Sequence, residues 1–167
     1  GNDIAIVTPG NYGLDYMKNN YGFDLDKAVK SSNFIGETID IARKIGFKKM
    51  ILTGHLGKLI KVSGGIMNPH SKEADSRMEL MAAIAVDAGA DLDIVKNILK
   101  SVTTEEAYSY LSDIKDKFNE ILINKVIFYL KKRALDMDIE CIIYSNEYGL
   151  IAKSENADAY MKMIGNK

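Results

Sequence analysis

The sequence predicts an α/β fold: a mostly parallel sheet with crossover helices, Rossmann-like and three-layered, followed by a helix-rich second half. Two observations carry this prediction. In the first half, short apolar runs rich in β-branched residues alternate with turn clusters and helical stretches. In the second half, longer apolar stripes recur at helical spacing.

The first elements alternate between strand and helix. Residues 4–8 predict a strand, the turn cluster of residues 9–13 ends it, and a helical stretch runs toward Lys18. Residues 28–31 predict a second, short strand. The sheet is then expected to be parallel, because each strand is followed by a helix that returns the chain to the same edge.

A second helix and a third strand follow. Asn33 is a residue of the type that caps helices, and Gly46 is placed where a helix end favours a left-handed residue, with Phe47 as its hydrophobic follower. Residues 50–53 then predict a strand that ends at Gly54.

The second half reads mainly as helix. Gly89 is expected to end a helix over residues 75–88, and Thr103 with Glu106 predicts a capping box. The remaining predictions are a helix around residues 92–99, a long helix from residue 114 to near 134, strands at 141–144 and 150–152, and a final helix over 157–163.

Composition bounds the class of protein. The 167 residues are 47% hydrophobic and 27% charged, which suits one globular domain over residues 1–167. No apolar run is long enough to span a membrane, and the single Cys141 excludes an internal disulfide and fits a cytoplasmic location. The chain opens on Gly1 rather than Met, so we expect a piece of a longer protein.

Charge and ligand types exclude two further classes. The net charge of −1 lacks the basic surplus that nucleic-acid binding usually needs. The two histidines and one distant cysteine have no metal-ligand spacing, so no metal site is expected.

Three predicted strand ends carry glycine-containing loops, at residues 8–13, 31–36 and 54–58. In open α/β sheets, ligands bind outside the carboxyl ends of the strands, where glycine admits a close backbone approach. A nucleoside or a carboxylate would suit such a crevice. None of the loops matches the dinucleotide fingerprint or the P-loop.

The most unusual stretch is residues 54–71, which is rich in Gly, His, Asn and Ser. Lys58 and Lys61 share a face if this segment is helical, and Gly64 with Gly65 would end that helix. Polar side chains follow before the next helix, at Asn68, His70 and Ser71, with Arg77 in the first turns. For His55, a satisfied hydrogen bond at a strand end is an alternative to catalysis.

The chain resembles the CbiD family, the cobalt-precorrin-5B C(1)-methyltransferases of anaerobic cobalamin biosynthesis. The matching segments run from the first strand into the helix that contains Arg77: residues 8–10, 32–36, 54–61, 65–71 and 74–79. Pro69 departs from the family, where threonine is expected. The family's N-terminal portion, with a glycine- and threonine-rich motif, is also absent from this chain.

The resemblance implies methyl transfer from S-adenosylmethionine to carbon 1 of a cobalt-corrinoid substrate, whose cobalt arrives with it. The implied partners are this corrinoid and the N-terminal part of the same protein; a homo-oligomer is left open. His55 and His70 are the candidate catalytic residues. The implied corrinoid-binding residues are Lys58, Lys61, Asn68, Ser71 and Arg77, with Lys72 as a further cation. The implied donor-binding residues are Thr8, Gly10, Asn33, Gly36, Gly54 and Gly57.

Two alternatives stay open. The chain could be a ligand-binding piece that does not turn its ligand over. Without the resemblance, the same loops would also suit a nucleotide- or phosphate-binding α/β module.

Overall fold

The computed structural model describes residues 4–10, 12–23 and 28–165; Asn11 in the first predicted loop lies outside them. The strands are β1 (Ile4–Thr8), β2 (Val29–Lys30), β3 (Lys49–His55), β4 (Asp138–Ser145) and β5 (Gly149–Lys153). The helices are α1 (Tyr12–Tyr21), α2 (Ile35–Lys44), α3 (Leu56–Val62), α4 (Arg77–Asp87), α5 (Leu92–Lys100), α6 (Thr104–Ser109), α7 (Lys115–Ala134) and α8 (Ala157–Gly165).

The five strands form one sheet in the order β2-β1-β3-β4-β5. The first four are parallel, and β5 pairs antiparallel with β4 because only a tight turn joins them. This is the 2-1-3-4-5 order of doubly wound sheets, with an antiparallel edge strand. Five helices, α3 to α7, lie between β3 and β4 in the chain, so the helix-rich second half is confirmed.

Both faces of the sheet are covered, which confirms the three-layer prediction. Alternate strand residues face opposite sides: Ile6, Ile51 and Ile142 pack with α1 and α8. The residues between them, including Val7 and Leu52, pack with α2, α3, α4 and α7 in the larger core. The helices described are not long and apolar enough to cross a bilayer.

Two helix ends follow the sequence prediction closely. Gly46 adopts φ +94° after α2, and the N–H of Phe47 bonds the carbonyl of Ala42. Gly89 has φ +97° after α4, and the N–H of Ala90 bonds the carbonyl of Ala85 in the same way. Both ends are Schellman motifs, in which a left-handed residue lets the chain satisfy the last carbonyls of the helix.

Three local predictions differ from the structure. Asn33 does not cap α2, which begins after Phe34 without a side-chain cap. The third strand does not end at Gly54 but continues through His55 straight into α3, so the third predicted loop is strand and helix. In the capping box, Thr103 bonds the N–H of Glu106 as predicted, but the Glu106 carboxylate bonds the N–H of Val102 instead.

Replacing Gly65 by alanine is expected to destabilise the fold more than replacing Gly89. Both glycines have positive φ, at +81° and +97°, so alanine strains the backbone at each position. A Cβ at Gly65 would also lie 2.9 Å from Cε1 of Tyr129, whereas one at Gly89 meets nothing within 4 Å. We expect an additional loss of roughly 1–3 kcal/mol at Gly65 from overpacking, measured by urea denaturation. Equal losses in the two variants would contradict this reading.

Candidate functional site

The candidate site lies at the carboxyl ends of β1 and β3, which are neighbours in the sheet. After β1 the chain enters α1, which packs on one face; after β3 it enters α3, which packs on the other. Connections that leave neighbouring strands in opposite directions open a crevice, and ligands of doubly wound sheets bind there.

Lys58 is the centre of this crevice. From the first turn of α3 its Nζ donates a hydrogen bond to Oδ1 of Asn33, at 3.1 Å. A Cβ built on Gly10 would lie 3.4 Å from the same Nζ, and Gly10 has φ +93°. The hydroxyl of Thr8 donates to the Gly10 carbonyl at 3.4 Å. Three chain segments, predicted separately to bind substrate or donor, therefore meet at one ammonium group.

The Lys58 ammonium is half-buried, and burial lowers its pKa from the usual lysine value. Across residues 4–10, 12–23 and 28–165, no Asp or Glu forms a salt bridge with it. An ammonium that is partly desolvated and bonded only to a neutral amide retains donors for an incoming anion. This cation is thus suited to a carboxylate ligand.

His55 links three elements rather than facing an open space. Its Nδ1 accepts from the N–H of Gly57 at 3.0 Å and so caps α3. Because Nδ1 accepts, the ring proton is assigned to Nε2, which lies 2.7 Å from Oε1 of Glu105. Both ring nitrogens therefore have hydrogen-bond partners. This arrangement agrees with the alternative to catalysis for His55, a satisfied hydrogen bond at a strand end.

Glu105 is a site residue that the sequence analysis missed. It lies in the first turn of α6, and its carboxylate also accepts from the hydroxyl of Ser145 at 3.3 Å and that of Thr104 at 3.1 Å. The ends of β3 and β4 are thereby tied to α6. No local pattern could have shown this, since Glu105 and His55 are distant in the chain and the neighbouring residues read as a helix cap.

Lys61 does not share the surface of Lys58, which corrects the expectation that both bind substrate. Its side chain is buried, with 2% exposure, and its Nζ donates to the carbonyls of Pro69 at 3.1 Å and Ala74 at 2.6 Å. The ammonium thus holds the loop of residues 66–76 against α3. Pro69 is itself buried, and its carbonyl is one of the two that this loop contributes.

The polar side chains of this loop are engaged locally. Oδ1 of Asn68 accepts from the N–H of His70 at 3.3 Å, and Nδ1 of His70 accepts from the N–H of Lys72 at 3.1 Å. His70 and Ser71 are exposed. Arg77 binds the carboxylate of Asp75 through two hydrogen bonds, of 2.7 and 3.4 Å, and this pair raises the pKa of the guanidinium. Its charge is therefore already balanced, unlike that of Lys58.

Three of the glycines predicted for the donor serve packing and local hydrogen bonds. The N–H of Gly36 donates to the Met67 carbonyl at 3.3 Å, and a Cβ there would lie 3.0 Å from that of Met67. A Cβ at Gly54 would lie 3.0 Å from Leu59, and the N–H of Gly57 is bound to His55. These glycines let α2, α3 and the 66–76 loop approach closely, which places Asn33 beside Lys58.

A family model described as the C-terminal domain of CbiD matches residues 68–155, just over half of the chain. A relative named cobalt-precorrin-5B C(1)-methyltransferase, from Clostridioides difficile, is 42% identical over 98% of this chain and 41% of its own length. A relative of the same name from Ruminiclostridium cellulolyticum is 45% identical over 80% of this chain and 35% of its own.

A third relative of that name, from Fusobacterium nucleatum, is 38% identical over 98% of this chain and 42% of its own length. The chain thus spans about two fifths of the length of these relatives. No solved structure matches it.

Proposed function

Since this chain belongs to the CbiD family, we propose that it takes part in the methylation of a cobalt-corrinoid, cobalt-precorrin-5B, at carbon 1. The donor in this proposal is S-adenosylmethionine, which supplies an electrophilic methyl group when bound. The observation that carries the proposal is the position of Lys58, a predicted corrinoid ligand, which donates to Asn33 and lies beside Gly10, both predicted donor ligands.

Such a meeting point is what methyl transfer requires. A carbon nucleophile must approach the sulfonium methyl in line, and holding two large substrates in that geometry can supply much of the rate. A corrinoid intermediate bears carboxylate side chains, and Lys58 is the cation that can receive one beside the donor residues. Thr8, Gly10 and Asn33 would hold the donor, since Gly10 puts no side chain between its backbone and the crevice and Asn33 offers an amide.

The histidines have different parts in this proposal. His55 positions α3 and α6 through Gly57 and Glu105, because both of its nitrogens are engaged. His70 is exposed on the 66–76 loop, and its contact with substrate stays a prediction. Asn68, Ser71 and Arg77 stay predictions as corrinoid ligands on the same loop and the helix that follows.

The decisive experiment follows an isotopically labelled methyl group. The folded chain is incubated with cobalt-precorrin-5B and labelled S-adenosylmethionine, and the corrinoid is examined by mass spectrometry and carbon NMR. We expect the label at carbon 1. Binding of corrinoid and S-adenosylhomocysteine without methyl transfer would favour the second candidate, a piece that binds its ligands but does not turn them over. This candidate is considered because the chain spans only 41% of the length of the relative from Clostridioides difficile. Binding of neither would contradict both.

A further inference from the structure

A second groove lies between α1 and the end of β4, and it adjoins the site described above through Ser145, the partner of Glu105. It has a volume of about 250 Å³. The rings of Tyr16 and Tyr144 line it, and its polar lining comes from α1 and the end of β4: Asp15, Asn19, Asn20, Ser145 and Asn146. It lies on the face of the sheet that α1 covers, and α1 begins shortly after Gly10.

Tyr144, which lines the groove, has a buried hydroxyl group with no hydrogen-bond partner in the part of the chain that the structure describes. The residue is 1% exposed. The ring is held in place by Tyr16, stacked at 4.5 Å between centroids with 7° between planes. Burial raises the pKa of the hydroxyl, so it stays protonated and able to donate. A buried hydroxyl that is left unbonded costs stability, which favours a partner supplied by a ligand.

The other lining groups define the chemistry of that ligand. Asp15 is the ionisable acid that lines the groove, and no Lys or Arg among the described residues lines it. Asn19 and Asn146 offer amides, while Nδ2 of Asn20 donates to the carbonyl of Tyr16 at 2.9 Å. A phosphate or carboxylate would therefore meet a like charge without a compensating cation. A carboxylate that accepts from vicinal hydroxyls, next to amides that donate and accept, is instead suited to a ribose diol. The half-buried ring of Tyr16 adds apolar surface for a stacked base.

We propose that this groove binds the ribose hydroxyls of a nucleoside, with the adenosyl group of the methyl donor as its occupant. The choice of occupant rests on the proposed function, while the nucleoside chemistry rests on the groove. Asp15 accepts from the diol, and Tyr144 donates to the same ligand. Because β1 leads through Gly10 into α1, the ribose end of the donor would lie on one side of this connection and the Lys58 crevice on the other.

The test is calorimetric titration of the folded chain with S-adenosylhomocysteine, adenosine, 2′-deoxyadenosine and ATP. In the wild type, adenosine should bind about tenfold or more tightly than 2′-deoxyadenosine, as expected for a lost charge-assisted hydrogen bond. In Asp15→Asn that difference should shrink to near unity, which couples the side chain to the ribose hydroxyl directly. ATP should bind no more tightly than adenosine.

Two further variants separate binding from structure. Asp93→Asn is the matched control, since Asp93 is also an exposed acid in the first turn of a helix, α5, and does not line the groove. It should leave every affinity unchanged. Tyr144→Phe should weaken S-adenosylhomocysteine binding while leaving thermal stability unchanged or higher, because it removes an unbonded hydroxyl.

Several outcomes would overturn the inference. Equal affinities for adenosine and 2′-deoxyadenosine, full affinity in Asp15→Asn, or no binding of either nucleoside would remove the ribose site. Tighter binding of ATP than of S-adenosylhomocysteine would remove the donor as its occupant. The proposed methylation is judged separately, by label transfer, so the two can fail independently.

Discussion

Replacing Lys58 by alanine should weaken binding of cobalt-precorrin-5B by about tenfold to a hundredfold, because a hydrogen bond to a charged group contributes roughly 1.5–3 kcal/mol. The half-buried ammonium has Asn33 as its partner and no salt bridge among the residues described, so its loss removes a cation that the fold does not itself neutralise. The measurement is titration of the folded chain with the corrinoid, followed by its absorbance.

Controls and pH sharpen this prediction. Lys96→Ala removes an exposed lysine from α5 and should leave the affinity unchanged. Burial lowers the pKa of Lys58, so as pH rises through that value the ammonium becomes neutral and corrinoid affinity should fall, at a lower pH than for an ordinary lysine. The same affinity in Lys58→Ala and the wild type would show that the corrinoid binds elsewhere.

Much of the fold could be predicted because its signals are local. The apolar alternation of the strands and the glycines that end α2 and α4 each act within a few residues. The end of β3 could not be predicted in this way. Gly54 reads as a strand terminator, but it is a packing position where Leu59 and Pro9 would crowd a Cβ, at 3.0 and 3.1 Å.

The site is harder to predict than the fold because its contacts are long-range. Asn33 has a side chain of the type that caps helices, yet its Oδ1 accepts from Lys58 and not from a backbone N–H of α2. Which of these two donors it binds depends on how α3 lies against the β2–α2 connection. Glu105 reaches His55 only because α6 packs at the end of β3. Helical spacing placed Lys58 and Lys61 on one face, but it could not show that the 66–76 loop covers only one of them.

That difference between the two lysines predicts the largest effect on stability. Replacing Lys61 by methionine keeps a long unbranched stem but leaves the carbonyl of Pro69, which is buried, and that of Ala74, which is half-buried, without their donor. Each carbonyl that loses its donor costs about 1–3 kcal/mol, so the two together cost about 2–6 kcal/mol. Relief from burying an ammonium offsets part of this cost, and we expect a net loss of roughly 2–4 kcal/mol. Urea denaturation measures the loss.

The matched variant is Lys58→Met, on the same helix, which should cost under about 1 kcal/mol because that side chain is only half-buried. Hydrogen exchange should rise in residues 66–76 of Lys61→Met and not of Lys58→Met.

Burial also lowers the folded-state pKa of Lys61. At pH values between the folded-state pKa of Lys61 and the higher pKa of an unfolded lysine, the unfolded state binds more protons than the folded state. The free energy of unfolding of the wild type should therefore rise with pH relative to that of Lys61→Met. Equal losses of unfolding free energy in the two methionine variants would mean that other contacts hold the 66–76 loop, and that the buried Lys61 contributes little to the shape of the site.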